Sequence, residues 1–200
     1  MLGSAAHKKA DYGKAVALLK PLADKGNAEA LYVLGRLTLD GKGVKKSEQR
    51  AAQLFRQAAE KGDISAQNAW GTAQASGQGV RRNYREAARW FRKAAEQGLA
   101  MAQYNLGYLY AYGRGVPKDE NAAIDWYSRA ANQGLADAQY SLGWTYLNSK
   151  GENQSDTKAV HWFEKAAEQD NLKAQNNLAY MYAEGRGYAQ DPVKAVQWYN

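Results

Sequence analysis

The residues best suited to chemistry in this 200-residue chain are few, and they are not arranged for catalysis. Cysteine is absent, so there is no disulfide and no thiolate metal site. Histidine occurs only at His7 and His161. His7 stands beside the leading Met1-Leu2-Gly3-Ser4, and His161 precedes Trp162 with no second histidine one helical turn away. Neither is placed as a metal ligand or general base, and no Ser, His and carboxylate set stands out. Gly-x-Gly recurs as Gly41-Lys42-Gly43, Gly77-Gln78-Gly79, Gly113-Arg114-Gly115 and Gly185-Arg186-Gly187. A dinucleotide cradle would need a preceding strand and a third glycine, and neither is present, so these are expected to be helix-connecting turns. No catalytic residue, metal or cofactor is expected.

Charge and aromatic rings are the more informative features. Lys and Arg outnumber Asp and Glu by 27 to 20, for a formal charge of +7. Residues 1–98 hold 18 of the basic and 9 of the acidic side chains; residues 99–200 hold 9 and 11. A basic N-terminal half fits an acidic surface or polymer, and the simpler reading is a solvated face that keeps the protein in solution; no nucleic acid is expected. Arg85, Arg89 and Arg92, at spacings of four and three, are expected to share the outer side of a helix, with Trp90 and Ala94 facing inward. Trp90, Trp126, Trp162 and Trp198 share one register and are expected in the core.

A fixed period positions these groups. Ala30, Ala66, Ala102, Ala138 and Ala174 lie 36 residues apart, as do Ala51, Ala87, Ala123, Ala159 and Ala195. Self-similarity of this length marks a solenoid of supersecondary units. The units are expected at 27–62, 63–98, 99–134 and 135–170, then a truncated one at 171–200. Residues 11–26 form a preceding half repeat, and 1–10 a tag-like or leading segment. Within 99–134, Ala102, Leu106, Leu109 and Tyr110 recur at helical spacing. Gly113-Arg114-Gly115 breaks that helix, and Ala122, Ala123, Trp126, Tyr127, Ala130 and Ala131 repeat the spacing up to Gly134. The expected fold is all-α, a right-handed superhelix of antiparallel helix pairs that bury their apolar faces by stacking. Trp198-Tyr199-Asn200 ends in mid-helix, so the expectation is that the chain is a fragment. No run of 18 apolar residues is present to span a membrane. The opening four residues look like a cloning scar, and a natural targeting segment is expected to have preceded them.

The repeats resemble the Sel-one-like repeat, a relative of the tetratricopeptide repeat. Leu106-Gly107, Tyr110, Gly113, Gly115, Val116, Trp126, Tyr127, Ala130, Ala131 and Gly134 match its pattern, and the resemblance covers about residues 11–200. Trp70 replaces a leucine, Ser149 and Glu152 spoil one turn, and Tyr188 replaces a valine. The resemblance implies a scaffold or adaptor that binds a protein or peptide, with no enzymatic activity expected. The alternative it carries is a penicillin-binding or β-lactamase-like enzyme, reported for disulfide-rich relatives. Asp11-Tyr12, Ala15 and Pro21-Leu22-Ala23 resemble a segment that follows the signal peptide in exported bacterial members, which implies a periplasmic or secreted protein. By the tetratricopeptide register, first helices line a concave face. Arg36, Tyr104, Tyr108, Tyr140, Trp144 and Tyr180 are expected there as the partner-binding residues. Aromatic side chains of this kind bury much area at low entropic cost.

Overall fold

The computed structural model describes the backbone of residues 2–199 and, within it, the side chains of 11–198. Met1 and Asn200, and with Asn200 the expected truncation, lie outside the described residues; so do the side chains of 1–10, including His7. All regular structure among the described residues is helical. The helices are α1 (Leu2–Asp24), α2 (Ala28–Asp40), α3 (Glu48–Glu60), α4 (Ile64–Ser76), α5 (Tyr84–Glu96), α6 (Ala100–Tyr112), α7 (Glu120–Asn132), α8 (Ala136–Asn148), α9 (Asp156–Ala167), α10 (Leu172–Glu184) and α11 (Pro192–Tyr199). One short 3-10 turn, Gly151–Asn153, precedes α9. The chain divides into two compact units, Met1–Ala102 with Gly113–Pro117, and Gln103–Tyr112 with Lys118–Asn200.

Helix ends follow from side-chain chemistry. Asn27, Ser47, Asp63, Asn83, Asp119, Ser155 and Asn171 each accept a hydrogen bond from the backbone N–H three residues on, which satisfies a donor the helix cannot. At the other end Gly41, Gly77 and Gly185 take left-handed conformations at φ 72°, 83° and 67°.

In the first unit Leu34, Ala51, Phe55, Ala58, Ala66 and Trp70 belong to one buried cluster, with Trp70 in the register occupied by leucine elsewhere. In the second, Val160, Phe163, Ala166, Leu178 and Met181 form another. Four repeats are closed by a glycine against a ring, and Ala179 takes the glycine's place in the fifth. A Cβ at Gly35 would lie 2.7 Å from the Phe55 ring, and one at Gly71, Gly107 or Gly143 would lie 2.8 Å from Phe91, Tyr127 or Phe163.

This packing places the tryptophans at the margin of the core: Trp90 and Trp198 pack against the buried clusters, but none of the series is fully buried. The fully buried aromatic of the second helix is the residue after each one: Phe91, Tyr127 and Phe163. Trp90, Trp126 and Trp162 are only half-buried. The cation three residues on covers each indole, with Lys93 4.3 Å, Arg129 4.6 Å and Lys165 4.8 Å from the ring centroid. A large amphipathic ring can stay half-wet when a basic side chain roofs it.

Turns connect successive repeats as well as helices within one. The second glycine of the motif presses its bare Cα on the preceding repeat, where a Cβ at Gly43 would come 2.5 Å from the Tyr12 carbonyl oxygen and one at Gly187 2.6 Å from that of Asp156. Gly79 meets Glu48 and Gly115 meets Tyr84 in the same way. The middle residue reaches to the same place. Gln78 donates to Glu48 at 3.2 Å, and Arg186 donates two hydrogen bonds to Asp156 at 2.9 and 2.8 Å. The turn with Ser149 and Glu152 departs as expected: a Cβ at Gly151 would meet nothing within 4 Å. Its link to the preceding repeat is instead the Asn153 amide, which donates to Glu120 at 3.1 Å and Asn121 at 2.8 Å.

Glutamines tie the helices together from within. Gln97 donates to Gln67 at 2.9 Å, Gln133 to Gln103 at 2.8 Å and Gln169 to Gln139 at 2.8 Å. Gln139 also donates to the Ala131 carbonyl at 3.2 Å, so one buried amide joins two repeats. A buried amide is costly unless partnered, and Gln67, Gln103 and Gln139 each find a partner in the glutamine 30 residues further on in the same repeat.

Candidate functional site

The second unit holds a groove of about 820 Å³ whose walls are the first helices of two successive repeats, α6 and α8. Residues four apart on a helix point the same way, so Tyr104, Tyr108 and Tyr112 form one wall and Tyr140, Trp144 and Asn148 the other. Buried Tyr127 and Ala123 from α7 lie at its base.

The rings serve two purposes. Tyr104 lies 5.8 Å from Tyr127 and Tyr140 lies 5.8 Å from Phe163, centroid to centroid, as Tyr32 lies 5.9 Å from Phe55 in the first unit. Tyr32, Tyr104 and Tyr140, one from each of three repeats, therefore anchor the core of their own repeat. Further along, Tyr108 and Tyr112 approach to 4.6 Å, and Trp144 stacks on Tyr140 at 6.4 Å. Tyr112 and Trp144 remain 59% and 43% exposed, and Trp144 keeps part of its indole open to a ligand.

Burial is the main cause of raised pKa values at Tyr104, Tyr127 and Tyr140. Hydrogen bonds with Ser141 and Asn177 pull Tyr104 and Tyr140 part of the way back. All three phenols are therefore neutral at physiological pH. Neutral phenols, an indole, hydroxyls and amides can stack and hydrogen-bond, which is the chemistry of holding a ligand.

Tyr104, Tyr108, Tyr140 and Trp144, expected from the sequence, share this groove. Tyr180 is exposed on α10 but does not line it; its hydroxyl interacts with Arg186. Arg36 is exposed on α2 in the other unit. Tyr112 was legible as the next step of the four-residue ladder after Tyr104 and Tyr108. The base ring Tyr127 reads from sequence only as core. Arg85, Arg89 and Arg92 are all exposed on α5 while Ala94 is fully buried, and Arg89 pairs with Glu86 at 2.6 Å. His161 is exposed and edge-on to Trp162 at 5.2 Å. Among the described residues no group of three or more His, Cys, Asp or Glu could hold a metal ion, and no helix is long and apolar enough to cross a membrane.

Several solved structures share this architecture. A protective antigen of uropathogenic Escherichia coli with this repeat fold is 37% identical, with a TM-score of 0.87 over 92% of this chain. This chain spans only 39% of that protein's length. A Sel1 repeat protein of Oxalobacter formigenes is 34% identical, with a TM-score of 0.88 over 99% of this chain and 79% of its own. An immunity protein of Pseudomonas aeruginosa shares the fold at 23% identity and a TM-score of 0.59, over 94% of this chain and 72% of its own. No curated protein sequence matches. The Sel1 repeat model matches residues 2–27, 28–63, 64–99, 100–135, 136–171 and 172–200 in unbroken succession, and with it the chain belongs to the Sel1 repeat family.

Proposed function

We propose that this protein is a scaffold that grips a segment of a partner protein in the aromatic groove between α6 and α8. The observation that carries the reading is Trp144, a tryptophan held 43% exposed beside stacked tyrosines in a preformed cleft. Exposed aromatic residues in concave sites are the usual anchors of interfaces, and a Tyr or Trp there loses little entropy on binding. The first-unit positions equivalent to Tyr108 and Trp144 are Arg36 and Thr72, so the repeat does not need rings there in order to fold.

The test is capture and affinity together. A partner retained by the intact chain should be lost when Tyr108 and Trp144 are both replaced by alanine, with helicity unchanged. Each single substitution should weaken binding by about 2 kcal/mol, roughly 30-fold. Unchanged affinity with an intact fold would place the interface elsewhere. Turnover of nitrocefin by the pure protein would instead favour the β-lactamase-like reading.

An extracytoplasmic location accords with the Asp11-Tyr12 to Ala23 segment and with the description of the Escherichia coli relative as a protective antigen. Fractionation of the native host tests it. A second reading rests on the exposure of Arg85, Arg89 and Arg92: that face of the first unit makes salt-sensitive contact with an acidic surface or polymer.

A further inference from the structure

We infer that the guest residue of the groove is an arginine or lysine of the partner segment, seated on the Trp144 indole with its charge turned toward the groove's carboxylates. This rests on the groove reading above and adds to it the chemistry of the partner.

The first argument is the treatment of tryptophan. Trp90, Trp126 and Trp162 each receive a cation from three residues further along their own helix. At Trp144 the corresponding residue is Leu147, and among the described residues no cation lies over this ring. Indole is the strongest cation–π acceptor among the side chains. The groove thus presents an exposed indole without the Lys or Arg that covers Trp90, Trp126 and Trp162.

The second argument is the state of the carboxylates. Five carboxylates outside the groove, Asp40, Glu60, Glu86, Asp125 and Asp156, are paired with a Lys or Arg, while others such as Glu48 and Glu164 accept only from neutral donors. In the groove, Glu120 accepts from the Asn153 amide at 3.1 Å and Asp137 from the Asn171 amide at 3.5 Å. Neutral amides orient a carboxylate without cancelling its charge. Neither carboxylate makes a salt bridge among the described residues, so both charges remain to attract a cation in a protein of net charge +7.

The third argument is Lys173. It occupies the first turn of α10, where the helix dipole disfavours a positive charge, and the equivalent residue of α8 is Asp137. Its ammonium nevertheless lies 5.9 Å from the Tyr140 ring at the groove's edge. The groove therefore already holds cations supplied by the chain itself, Lys173 and also Lys118 in its lining, beside the carboxylates of Glu120, Asp137 and Asp170, and a basic guest would compete with them.

The test uses the whole chain and a displayed library of random peptides. A parallel selection against Tyr108→Ala/Trp144→Ala, checked for unchanged helicity, removes binders that do not use the groove. Groove-dependent peptides are expected to share an arginine or lysine at a fixed position, and its replacement by glutamine should lower affinity at least tenfold. Trp144→Phe, which keeps a ring but weakens its pull on a cation, and Asp137→Asn should each weaken those peptides several-fold. Lys173→Ala should tighten them. Groove-dependent peptides that lack a basic residue, or that bind less well to Lys173→Ala, overturn the inference and leave the groove reading standing. Absence of any groove-dependent peptide overturns both.

Discussion

Phe163 and Trp162 are adjacent rings with unequal energetic roles. Phe163 has no exposed surface and fills the space against Gly143, whereas Trp162 is half-buried under Lys165. Phe163→Ala is expected to cost about 3–5 kcal/mol and Trp162→Ala less than half as much, although more atoms are removed from the tryptophan. Denaturant unfolding of the two variants gives the ranking; equal losses would show that the indole is core after all. Ionisation of the buried phenols supplies a second test. Burial raises the pKa of Tyr127, and burial with the Glu164 carboxylate raises that of Tyr182, whose hydroxyl donates to it at 2.7 Å. A pKa higher in the folded than in the unfolded chain means stability that is complete below the unfolded value, about pH 10, and declines as pH climbs above it. Unfolding midpoints should fall above that pH, and Tyr127→Phe should flatten the fall. Phenolate absorbance reaching all 14 tyrosines before helicity is lost would contradict this.

At the level of the element, the turn decides how one repeat meets the next. Gly151 and Gly187 both have positive φ, 66° and 81°, so alanine at either carries the left-handed penalty of about 1–2 kcal/mol. Only at Gly187 does the added methyl also run into backbone, 2.6 Å from the Asp156 carbonyl oxygen. Gly187→Ala should therefore destabilise clearly more than Gly151→Ala, by about 1–3 kcal/mol beyond the shared term. Similar midpoints for the two would mean that the turn glycines serve conformation alone. The helical glycines follow a related logic: Gly143→Ala gains helix propensity worth about 1 kcal/mol but presses on Phe163, and net destabilisation is expected.

Across the whole molecule, charge is uneven while the repeat is uniform. The basic excess of residues 1–98 includes the exposed strip on α5, and the aromatic groove lies in the second unit. The two features call for separate tests. At low ionic strength the chain should be retained on a sulfated polysaccharide matrix. Retention should weaken as salt approaches about 0.15 M, where the screening length is about 8 Å. Arg85→Glu with Arg89→Glu should reduce that retention and leave groove-dependent peptide binding unchanged. Undiminished retention would remove the strip from any binding role.

The 36-residue period, the helix pairs, the turn glycines and the aromatic enrichment of Tyr104, Tyr108, Tyr140 and Trp144 were all legible in the sequence. Period, capping and register are local properties that recur from repeat to repeat. Which ring of each Trp-aromatic pair is buried was not legible, because two adjacent large apolar residues on a helix diverge by about 100° and only the packed neighbour shows which one faces inward. The glutamine ties and the docking of Gly187 on Asp156 join residues 30 and 31 positions apart, beyond any single helix pattern. The groove itself, with Tyr127 at its base and carboxylates held by amides, exists only once α6, α7 and α8 are packed, because its walls come from different repeats and its depth from what lies beneath them.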